Sequence, residues 1–485
     1  MVNGLCLCPV AIASRQFDPA ALCHACSKVR RFRVPPCSNE VPSYNAAVLD
    51  IKLIREQPDF LRRRVASRGA GDEARIDELL SFDEQRRKLL AEVEGLKSQR
   101  NRVSKEIGAL MGQKKTAEAE AKKNETRQIG DRIAELDKAV ADKEIKRVEI
   151  LLRLPNLPHG SVKEGKTAAG NSEVRAWGER PNYSFKPKSH VEICESLLLV
   201  DFARGAKLTG SGFLLYTNWG ARLERALIQF LLDLHVHQHG YTEVSPPFMV
   251  KEACMIGVGQ FPKFVDQAYQ VLEGEAQTGR DPNPGGMLYL IPTAEAPVAN
   301  IHREEILSEQ QLPLYYCAYS PCFRAEAGAA GVGTRGMIRV HQFDKVELIR
   351  IVKPEHSYDE LEKMVTHAER VLQSLGLHYR VVLLCTGDMG FASAKTYDIE
   401  VWAPGQGSYL EVSSCSNCED FQARRMNLRF KTEAGENRFP HILNGSGTAL
   451  ARLFVALVET YQQTDGSISI PAALQPYLKT DRITA

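Results

Sequence analysis

Two short runs, Phe323-Arg324-Ala325-Glu326 and Arg339-Val340-His341-Gln342-Phe343, decide how this chain is interpreted. They place an arginine, a carboxylate and an aromatic ring where two neighbouring strands can hold a nucleotide. The Arg324 guanidinium can bond a carboxylate or an α-phosphate through two N–H groups. Glu326 can accept a hydrogen bond from an exocyclic amine, and Phe343 offers a flat face to a purine.

The same pattern has a simpler interpretation. An arginine and a glutamate two positions apart on a strand share one side, as solvated or salt-bridged faces commonly do. The glycine-rich residues 327–338 between the runs are typical of the loop of a long hairpin, which could close over a substrate. The choice between a nucleotide site and an ordinary polar face therefore depends on the rest of the chain.

Length and charge set the broad class. A chain of 485 residues can bury a large core and should divide into two or more domains. The 62 basic and 60 acidic residues nearly balance, so a polyanion would have to be met by a local patch. No apolar run reaches the roughly eighteen residues of a membrane span, which predicts a soluble protein without a membrane partner.

The twelve cysteines are typical of a reducing compartment, because they form no closely spaced, even framework. Cys23-His24-Ala25-Cys26 and Cys415-Ser416-Asn417-Cys418 are CxxC pairs, but neither has the second pair that a structural zinc site needs.

Residues 1–47 are irregular, basic and poor in acid, and two explanations stay open. They could be a transit peptide, which predicts a mitochondrial or plastid location. Alternatively the true start is Val48 and the leader is not part of the protein, which predicts a cytoplasmic location. We favour the second explanation.

Residues 76–152 contain no proline and predict a long antiparallel helical hairpin. Apolar positions recur at alternating steps of four and three, with the chain reversing between Met111 and Lys123. Arms of about 35 residues would extend about 50 Å. The two seams are Phe82, Arg86, Leu89, Val93, Leu96, Arg100, Val103, Ile107, Leu110 and Ile129, Ile133, Leu136, Val140, Ile145, Val148, Leu152.

A charged hairpin of this kind is compatible with a dimerisation coiled coil or a solvated spacer. Its many basic side chains also suit contacts along an RNA helix by shape and backbone. The predicted RNA contacts are Arg100, Lys105, Lys114, Lys115, Lys122 and Lys123.

After Pro155 and Pro158 end the second helix, a polar linker over 156–182 leads into a second domain over 183–485. There, helices and strands alternate with few βαβ units. This predicts an α+β fold: a mainly antiparallel sheet flanked by helices, preceded by a domain over 48–155 that carries the hairpin. Predicted helices are 221–238, 358–375 and 449–462, and predicted strands are 241–247, 340–351, 379–384 and 408–413.

Further motifs carry a resemblance to a known family. The helix–strand–proline unit ending at Pro247, the Phe-Arg-x-Glu hairpin and the Gly-x-x-x-x-Arg of Gly447 to Arg452 resemble the three signature motifs of class II aminoacyl-tRNA synthetases. The chain resembles in particular the seryl-tRNA synthetases of bacterial or organellar type. The runs that carry this likeness are Thr293-Ala294-Glu295, residues 341–347, residues 411–417 and residues 444–447.

The resemblance implies a serine-binding site. It assigns Thr293, Ala294 and Glu295 to the amino acid, Glu347 to its ammonium or hydroxyl, and Ser446 to its side chain. Arg324 would bridge the serine carboxylate and the α-phosphate. A site that hydrogen-bonds the hydroxyl rejects alanine, because its own buried polar groups would be left unpaired.

The resemblance also implies an ATP site with Mg²⁺. Arg324 and Arg452 would be the catalytic cations at the α- and γ-phosphates, and Phe343 would stack on adenine. Glu411 and Ser414 would hold Mg²⁺, a hard ion that prefers oxygen ligands. The remaining implied ATP contacts are Ala325, Glu326, Val340, Val412 and Ser413.

The implied activity is formation of seryl-adenylate and transfer of serine to tRNA(Ser), with tRNA(Sec) left open as a second acceptor. Alternatives are a relative that charges a carrier protein and a noncatalytic paralogue. The intact hairpin counts against the first, and the presence of Arg324, Glu326, Glu411 and Arg452 counts against the second. The class also implies a homodimer formed through the segment ending near Pro247, with Leu227, Leu231, Leu232 and Leu234 as apolar surface.

Overall fold

The computed structural model describes residues 49–271, 287–326 and 336–485. The predicted leader, the Cys23–Cys26 pair and most of the glycine-rich loop lie outside these residues. The two explanations of the leader, and the location that depends on them, therefore stay predictions.

Helices form a long N-terminal pair and shorter elements spread along the rest of the chain. They are α1 (Ile51–Glu56), α2 (Pro58–Ala66), α3 (Ala74–Gly112), α4 (Thr116–Arg153), α5 (His190–Ser196), α6 (Phe202–Thr209), α7 (Asn218–His237), α8 (Glu252–Gly257), α9 (Glu295–Ala299), α10 (Ser357–Ser374), α11 (Phe421–Met426), α12 (Leu450–Thr460) and α13 (Gln475–Leu478).

In the part of the chain that the structure describes, strands begin only after the helical pair. They are β1 (Ser172–Trp177), β2 (Thr242–Glu243), β3 (Met249–Lys251), β4 (Gln270–Val271), β5 (Leu288–Leu290), β6 (Ile306–Ser308), β7 (Leu314–Phe323), β8 (Gln342–Val352), β9 (Tyr379–Leu383), β10 (Lys395–Ala403), β11 (Ser408–Asn417), β12 (Arg429–Lys431), β13 (Asn437–Arg438), β14 (His441–Ala449), β15 (Ile468–Ser469) and β16 (Arg482–Ile483).

The helices α3 and α4 form the predicted hairpin. Its seam buries Val93 and Val103 of α3 against Ile129, Ile133 and Leu136 of α4. Helices of 39 and 38 residues extend about 57 Å at 1.5 Å per residue. The Arg86 side chain, which interrupts the first seam, forms an ion pair with Glu144 across the hairpin.

The turn of the hairpin is shorter than predicted. The chain reverses over residues 113–115, where Lys114 adopts a φ of 61°, and the helix resumes at Thr116. The residues up to Lys123 are helical because alanine, lysine and glutamate are strong helix formers and Ala119 is buried. The polar composition of residues 111–123 was therefore a poor guide to the length of the turn.

The base of the hairpin is packed on the rest of the molecule. Ile76, Leu79 and Leu151 share one apolar cluster with Phe391 and Phe421. The buried Arg425 donates a hydrogen bond to the carbonyl of Leu152 at 2.9 Å. The N-terminal helices therefore have a fixed attachment to the sheet domain.

The central element is an eight-stranded sheet in the order β1-β9-β10-β11-β14-β8-β7-β2. All neighbouring pairs are antiparallel except β2 and β7, which are parallel. β1 lies within 156–182, so the segment predicted as a linker also supplies an edge strand. The predicted strand over 241–247 is reduced to Thr242–Glu243, since Pro246 and Pro247 have no N–H to continue a ladder.

Helices α7, α10 and α12 pack on one face of this sheet. On β8, Val346 and Leu348 belong to the apolar cluster formed with these helices. Because side chains alternate along a strand, Lys345 and Glu347 point to the opposite face. That face carries the polar side chains described below.

The leucines predicted as dimer surface are mostly internal. Leu227 and Leu231 are fully buried and Leu234 is 4% exposed, since α7 turns these residues towards the sheet; only Leu232 is half-buried. In the described ranges, no helix is both long and apolar enough to span a membrane.

Candidate active site

Polar side chains converge in a cavity of about 490 Å³ on the open face of the sheet. The residues predicted for serine that line it are Thr293, Glu295, Arg324, Glu347 and Ser446. Those predicted for the nucleotide are Glu326, Glu411, Ser414 and Arg452. An adjoining cavity of about 110 Å³, lined again by Arg324 and Arg452, adds Val340, Phe343 and Val412.

Three predicted residues do not line these cavities. Ala294 is fully buried in an apolar cluster. The Ser413 hydroxyl donates to the carbonyl oxygen of Ser446 at 2.5 Å, and the Ala325 N–H donates to the carbonyl oxygen of Gln267 at 3.0 Å. Their side chains therefore support the walls and do not face the interior.

A buried triad occupies the end of the larger cavity nearest Thr293. The Lys345 ammonium donates to Thr293 Oγ1 at 2.7 Å and forms an ion pair with Glu347. Thr293 Oγ1 in turn donates to Glu347 Oε2 at 2.9 Å. All three side chains are almost completely buried, so this part of the cavity presents both signs of charge within one compact group.

Glu295 is the second acid at this end. Burial, followed by the nearby Glu347 carboxylate, raises the pKa of the Glu295 carboxyl to about 7. The side-chain amides of Gln422 and Asn444 both donate to its Oε1, at 2.6 and 2.9 Å. Glu295 is therefore fixed in position and poised between its two protonation states near neutral pH.

The Phe-Arg-x-Glu run leaves the end of β7 beside the start of β8. The Arg324 N–H donates to the His341 carbonyl at 2.9 Å, which fixes the backbone of the arginine. Among the described residues, its guanidinium makes one long hydrogen bond, 3.4 Å to the Pro292 carbonyl, and lies 5.1 Å from the centre of the Phe343 ring. Such weak attachment leaves the guanidinium able to turn onto a ligand.

A β-bulge brings Glu411 and Ser414 to the same side. In the pairing of β10 with β11, Ile399 faces Ser413 and Glu400 faces Glu411, so Val412 has no partner. In a regular strand, residues three apart point to opposite faces; the extra residue reverses the alternation. Both side chains therefore line the cavity.

The oxygens around this bulge fit a magnesium ion. Glu411 supplies a carboxylate and Ser414 a hydroxyl, and Asp398 lies directly across from Ser414 on β10. Asp398 Oδ1 is buried without a hydrogen-bond partner among the described residues, and burial together with the Glu411 charge raises the pKa of the Asp398 carboxyl well above its ordinary value. A buried carboxylate oxygen without a hydrogen-bond partner, beside a second acid, is the arrangement that a hard cation would relieve.

Several of these residues were missed from the sequence. Lys345 could have been predicted, because it is two residues from Glu347 on one strand and so points to the same side. Asn444 could also have been predicted, because it belongs to the run 444–447. Asp398 and Gln422 carried no signal, since their places depend on strand register and on the packing of α11. Cys415 and Cys418 are free and buried among these elements.

The predicted RNA contacts lie elsewhere. Lys114 and Lys115 are exposed at the turn of the hairpin, and the other four follow within a few helical turns. Lys122 and Lys123 form ion pairs with glutamates of the hairpin, at 2.8 Å to Glu125 and 3.0 Å to Glu120. This group is separated from the cavity by most of the length of the hairpin.

Comparison with known proteins identifies the family. A family model described as the tRNA synthetase class II core domain (G, H, P, S and T) matches residues 277–461, and one described as the seryl-tRNA synthetase N-terminal domain matches residues 48–158. The serine–tRNA ligases of Carboxydothermus hydrogenoformans and Akkermansia muciniphila are 53% and 52% identical over 437 and 436 residues, 90% of this chain and 99% of each relative. The chain belongs to the seryl-tRNA synthetase family.

A solved seryl-tRNA synthetase has the same architecture. The enzyme of Pyrococcus horikoshii, complexed with ATP, has a TM-score of 0.82 and 41% identity, covering 90% of this chain and 99% of that one. Membership of the seryl-tRNA synthetase family confirms the predicted α+β fold with its helical N-terminal region.

Proposed function

We propose that this protein is a serine–tRNA ligase. It joins L-serine to ATP, releasing pyrophosphate and forming seryl-adenylate, and then transfers the seryl group to a terminal ribose hydroxyl of tRNA(Ser), releasing AMP. The observation that carries this proposal is the cavity itself. It brings the buried group of Thr293, Lys345 and Glu347 together with Arg324 and Arg452, within one family whose relatives are named for this reaction.

The triad end is the proposed serine site. Glu347 and Glu295 attract the ammonium, and the hydroxyl exchanges hydrogen bonds with Thr293, Glu347 or Ser446. Alanine would leave these buried groups unpaired, which disfavours it strongly. The Arg324 guanidinium can fork onto the serine carboxylate and an α-phosphate oxygen, holding the two reacting groups together.

The opposite end is the proposed ATP site. Phe343 offers its ring to adenine, with Glu326 and the backbone at Val340 at its edge. Arg452, which forms a 3.4 Å ion pair with Glu411 in the free protein, can turn to the γ-phosphate. The reaction then needs positioning and charge neutralisation and no covalent enzyme intermediate.

We further propose that Glu411 and Ser414 hold Mg²⁺, with Asp398 beside them. Bound there, the ion would neutralise phosphate charge. The residues themselves would orient the triphosphate, because two acids and a hydroxyl on rigid neighbouring strands fix where the ion can lie.

The hairpin is the proposed tRNA-binding arm, contacting tRNA(Ser) by shape and backbone through the six basic residues at its end. Charging of tRNA(Sec) stays open. The limits 48–155, 156–182 and 183–485 are proposed as the tRNA-binding domain, linker and catalytic domain. A homodimer is proposed by family likeness, and Phe248 and Met249, 37% and 47% exposed just after Pro247, offer apolar surface to it.

The decisive experiment is aminoacylation of unfractionated tRNA with labelled serine. We expect label in tRNA(Ser), attached through an ester that mild base removes. A carrier-protein ligase would leave tRNA unlabelled, and a noncatalytic paralogue would label nothing; either outcome would reject the proposal.

A further inference from the structure

A third cavity, of about 550 Å³, lies where the N-terminal helices meet the catalytic domain. We call it the junction pocket. Arg68 and Asp72 line it from the N-terminal side, and Lys166, Lys263 and Met389 from the other. It is distinct from the two cavities proposed to hold serine and ATP.

The junction pocket carries an excess of positive charge. Three cations line it against one carboxylate, and none of the three forms an ion pair with any residue in the described ranges. The half-buried Arg68 guanidinium instead donates to the carbonyl oxygens of Met389 and Ser393, both at 3.1 Å, and to that of Gly390. Burial lowers the pKa of Arg68 to about 10, so it remains charged at neutral pH.

The pocket and the catalytic cavity share a wall. Gly390 and Ser393, which accept hydrogen bonds from Arg68, line the catalytic cavity. The Lys263 ammonium lies 5.1 Å from the centre of the Phe391 ring and 5.5 Å from that of Phe264, and both rings also line the catalytic cavity. The unpaired cations of the junction pocket therefore lie directly behind the wall of the catalytic cavity.

An unpaired basic pocket at this place suits one kind of ligand. The phosphates of ATP are expected at Arg324 and Arg452, inside the catalytic cavity. The second substrate of a tRNA ligase must bring its terminal ribose into that cavity while its preceding phosphodiesters stay outside. We propose that the junction pocket binds a backbone phosphate of the acceptor strand of the tRNA, close to its 3′ end. This inference rests on the proposed function.

The test removes charge without touching Arg68, whose loss could loosen the packing of the two domains. In Lys166→Gln/Lys263→Gln, we expect serine-dependent ATP–pyrophosphate exchange to stay within about twofold and the KM for tRNA to rise about tenfold or more. Each lost phosphate contact should also flatten the slope of log affinity against log salt by roughly 0.7–0.9. The matched control is Lys207→Gln/Lys431→Gln, which removes two exposed lysines that line none of these cavities.

A second measurement excludes a purely structural effect. p-Benzoylphenylalanine in place of Ala70, an exposed residue on the rim of the junction pocket, should crosslink to the last few nucleotides of the acceptor strand. Crosslinks confined to other parts of the tRNA, or an unchanged KM and salt slope in the double variant, would overturn the inference. The inference would also be overturned if the double variant lost binding of inorganic phosphate but kept the KM for tRNA of the unmodified protein. The junction pocket would then be a site for a free anion. Absence of serine-dependent exchange in the unmodified protein would instead reject the proposed function.

Discussion

At the scale of single residues, the cavity pairs its own charges. Glu326 forms an ion pair with Arg339 at 3.2 Å, Glu411 with Arg452 at 3.4 Å, and Glu347 with Lys345. When a zwitterion and a polyanion bind, each of these side chains can replace its partner in the protein with a charged group of a ligand. The cost of desolvating isolated charges is therefore avoided when the ligands enter.

Arg324 is the residue whose loss should affect activation most. In Arg324→Ala we expect kcat/KM for serine-dependent exchange to fall about 10²–10³-fold, because one preorganised cation at the reacting groups is lost. The free energy of unfolding should change by no more than about 0.5 kcal/mol, since the one hydrogen bond that the guanidinium makes within the described residues is long. Arg324→Lys is the control, because it keeps the positive charge but cannot bond two oxygens through parallel N–H groups. Its kcat/KM should lie between the values of the unmodified protein and of Arg324→Ala. Normal exchange in Arg324→Ala would contradict the assignment.

Serine affinity should depend on pH through Glu295. Its carboxyl has a pKa of about 7, above the ordinary 4.5, so it is neutral below pH 7 and charged above. The neutral form attracts an ammonium less strongly, so the KM for serine should rise as pH falls, approaching about tenfold per unit below pH 6. Exchange kinetics between pH 5.5 and 8 measure this. Glu295→Gln should have a high KM that no longer varies in this range, and a pH-dependent KM in that variant would assign the titration elsewhere.

The proposed magnesium site can be tested by direct binding. Glu411→Gln removes a charged oxygen ligand, so Mn²⁺, used as a paramagnetic substitute in the presence of ATP, should bind at least about tenfold more weakly. Electron paramagnetic resonance of free Mn²⁺ gives the affinity independently of turnover. Glu436→Gln, at an exposed position, is the control. Equal Mn²⁺ affinity in Glu411→Gln and Glu436→Gln would show that Glu411 is not a ligand of the metal ion.

Most residues of the candidate site could be predicted from the sequence because they stand in short runs with a fixed chemistry. Thr293, Arg324 and Arg452 are examples, and each lines the cavity. Ala294 and Ser413 belong to the same runs but are buried behind the wall, since a run gives no information on which residues face inward. Asp398 could not be predicted, because it faces Ser414 only through the register of β10 with β11.

At the scale of elements, the bulge at Val412 and the hairpin position most of the residues to which we assign a function. The bulge changes which side chains of β11 reach the cavity, and no periodicity in the sequence marks it. The hairpin, in contrast, was predictable because long heptad seams are a strong signal. Its turn was predicted too long, since the residues from Thr116 to Lys123 are polar yet form helix.

Shortening the hairpin should separate the two steps of the reaction. Replacing residues 100–128 with a short Gly/Ser linker removes all six proposed RNA contacts and keeps the ion pairs of Glu92 with Arg132 and Lys97 with Asp137 below the cut. We expect exchange within about twofold of the unmodified protein, because the cavity lies beyond the base of the hairpin. The KM for tRNA should rise at least about tenfold as phosphate contacts are lost.

A matched variant distinguishes charge from length in this test. Lys105→Gln/Lys114→Gln/Lys115→Gln keeps the hairpin intact and should raise the KM for tRNA by a smaller factor, with a flatter salt dependence. If the shortened protein aminoacylates tRNA(Ser) normally, the hairpin has another role, such as spacing or assembly.

At the scale of the whole molecule, the hairpin and the part of the chain that carries the eight-stranded sheet are joined by polar contacts as well as by apolar packing. The Asn156 side chain donates to the carbonyls of Ala392 and Cys418 at 2.8 and 2.9 Å, and Arg425 donates to Leu152. The loop over 387–393 therefore touches the N-terminal helices and the catalytic cavity together. Sequence patterns predicted two domains and their classes, but not this junction, because it depends on contacts between residues more than 200 positions apart.

The central claim is that one cavity activates serine with ATP, and ATP–pyrophosphate exchange tested with each of the twenty amino acids measures it most directly. The account predicts exchange with serine, with alanine and threonine lower by several orders of magnitude, because the buried triad requires a small hydroxyl-bearing side chain. Exchange that is strongest with another amino acid, or absent with all twenty, would contradict it.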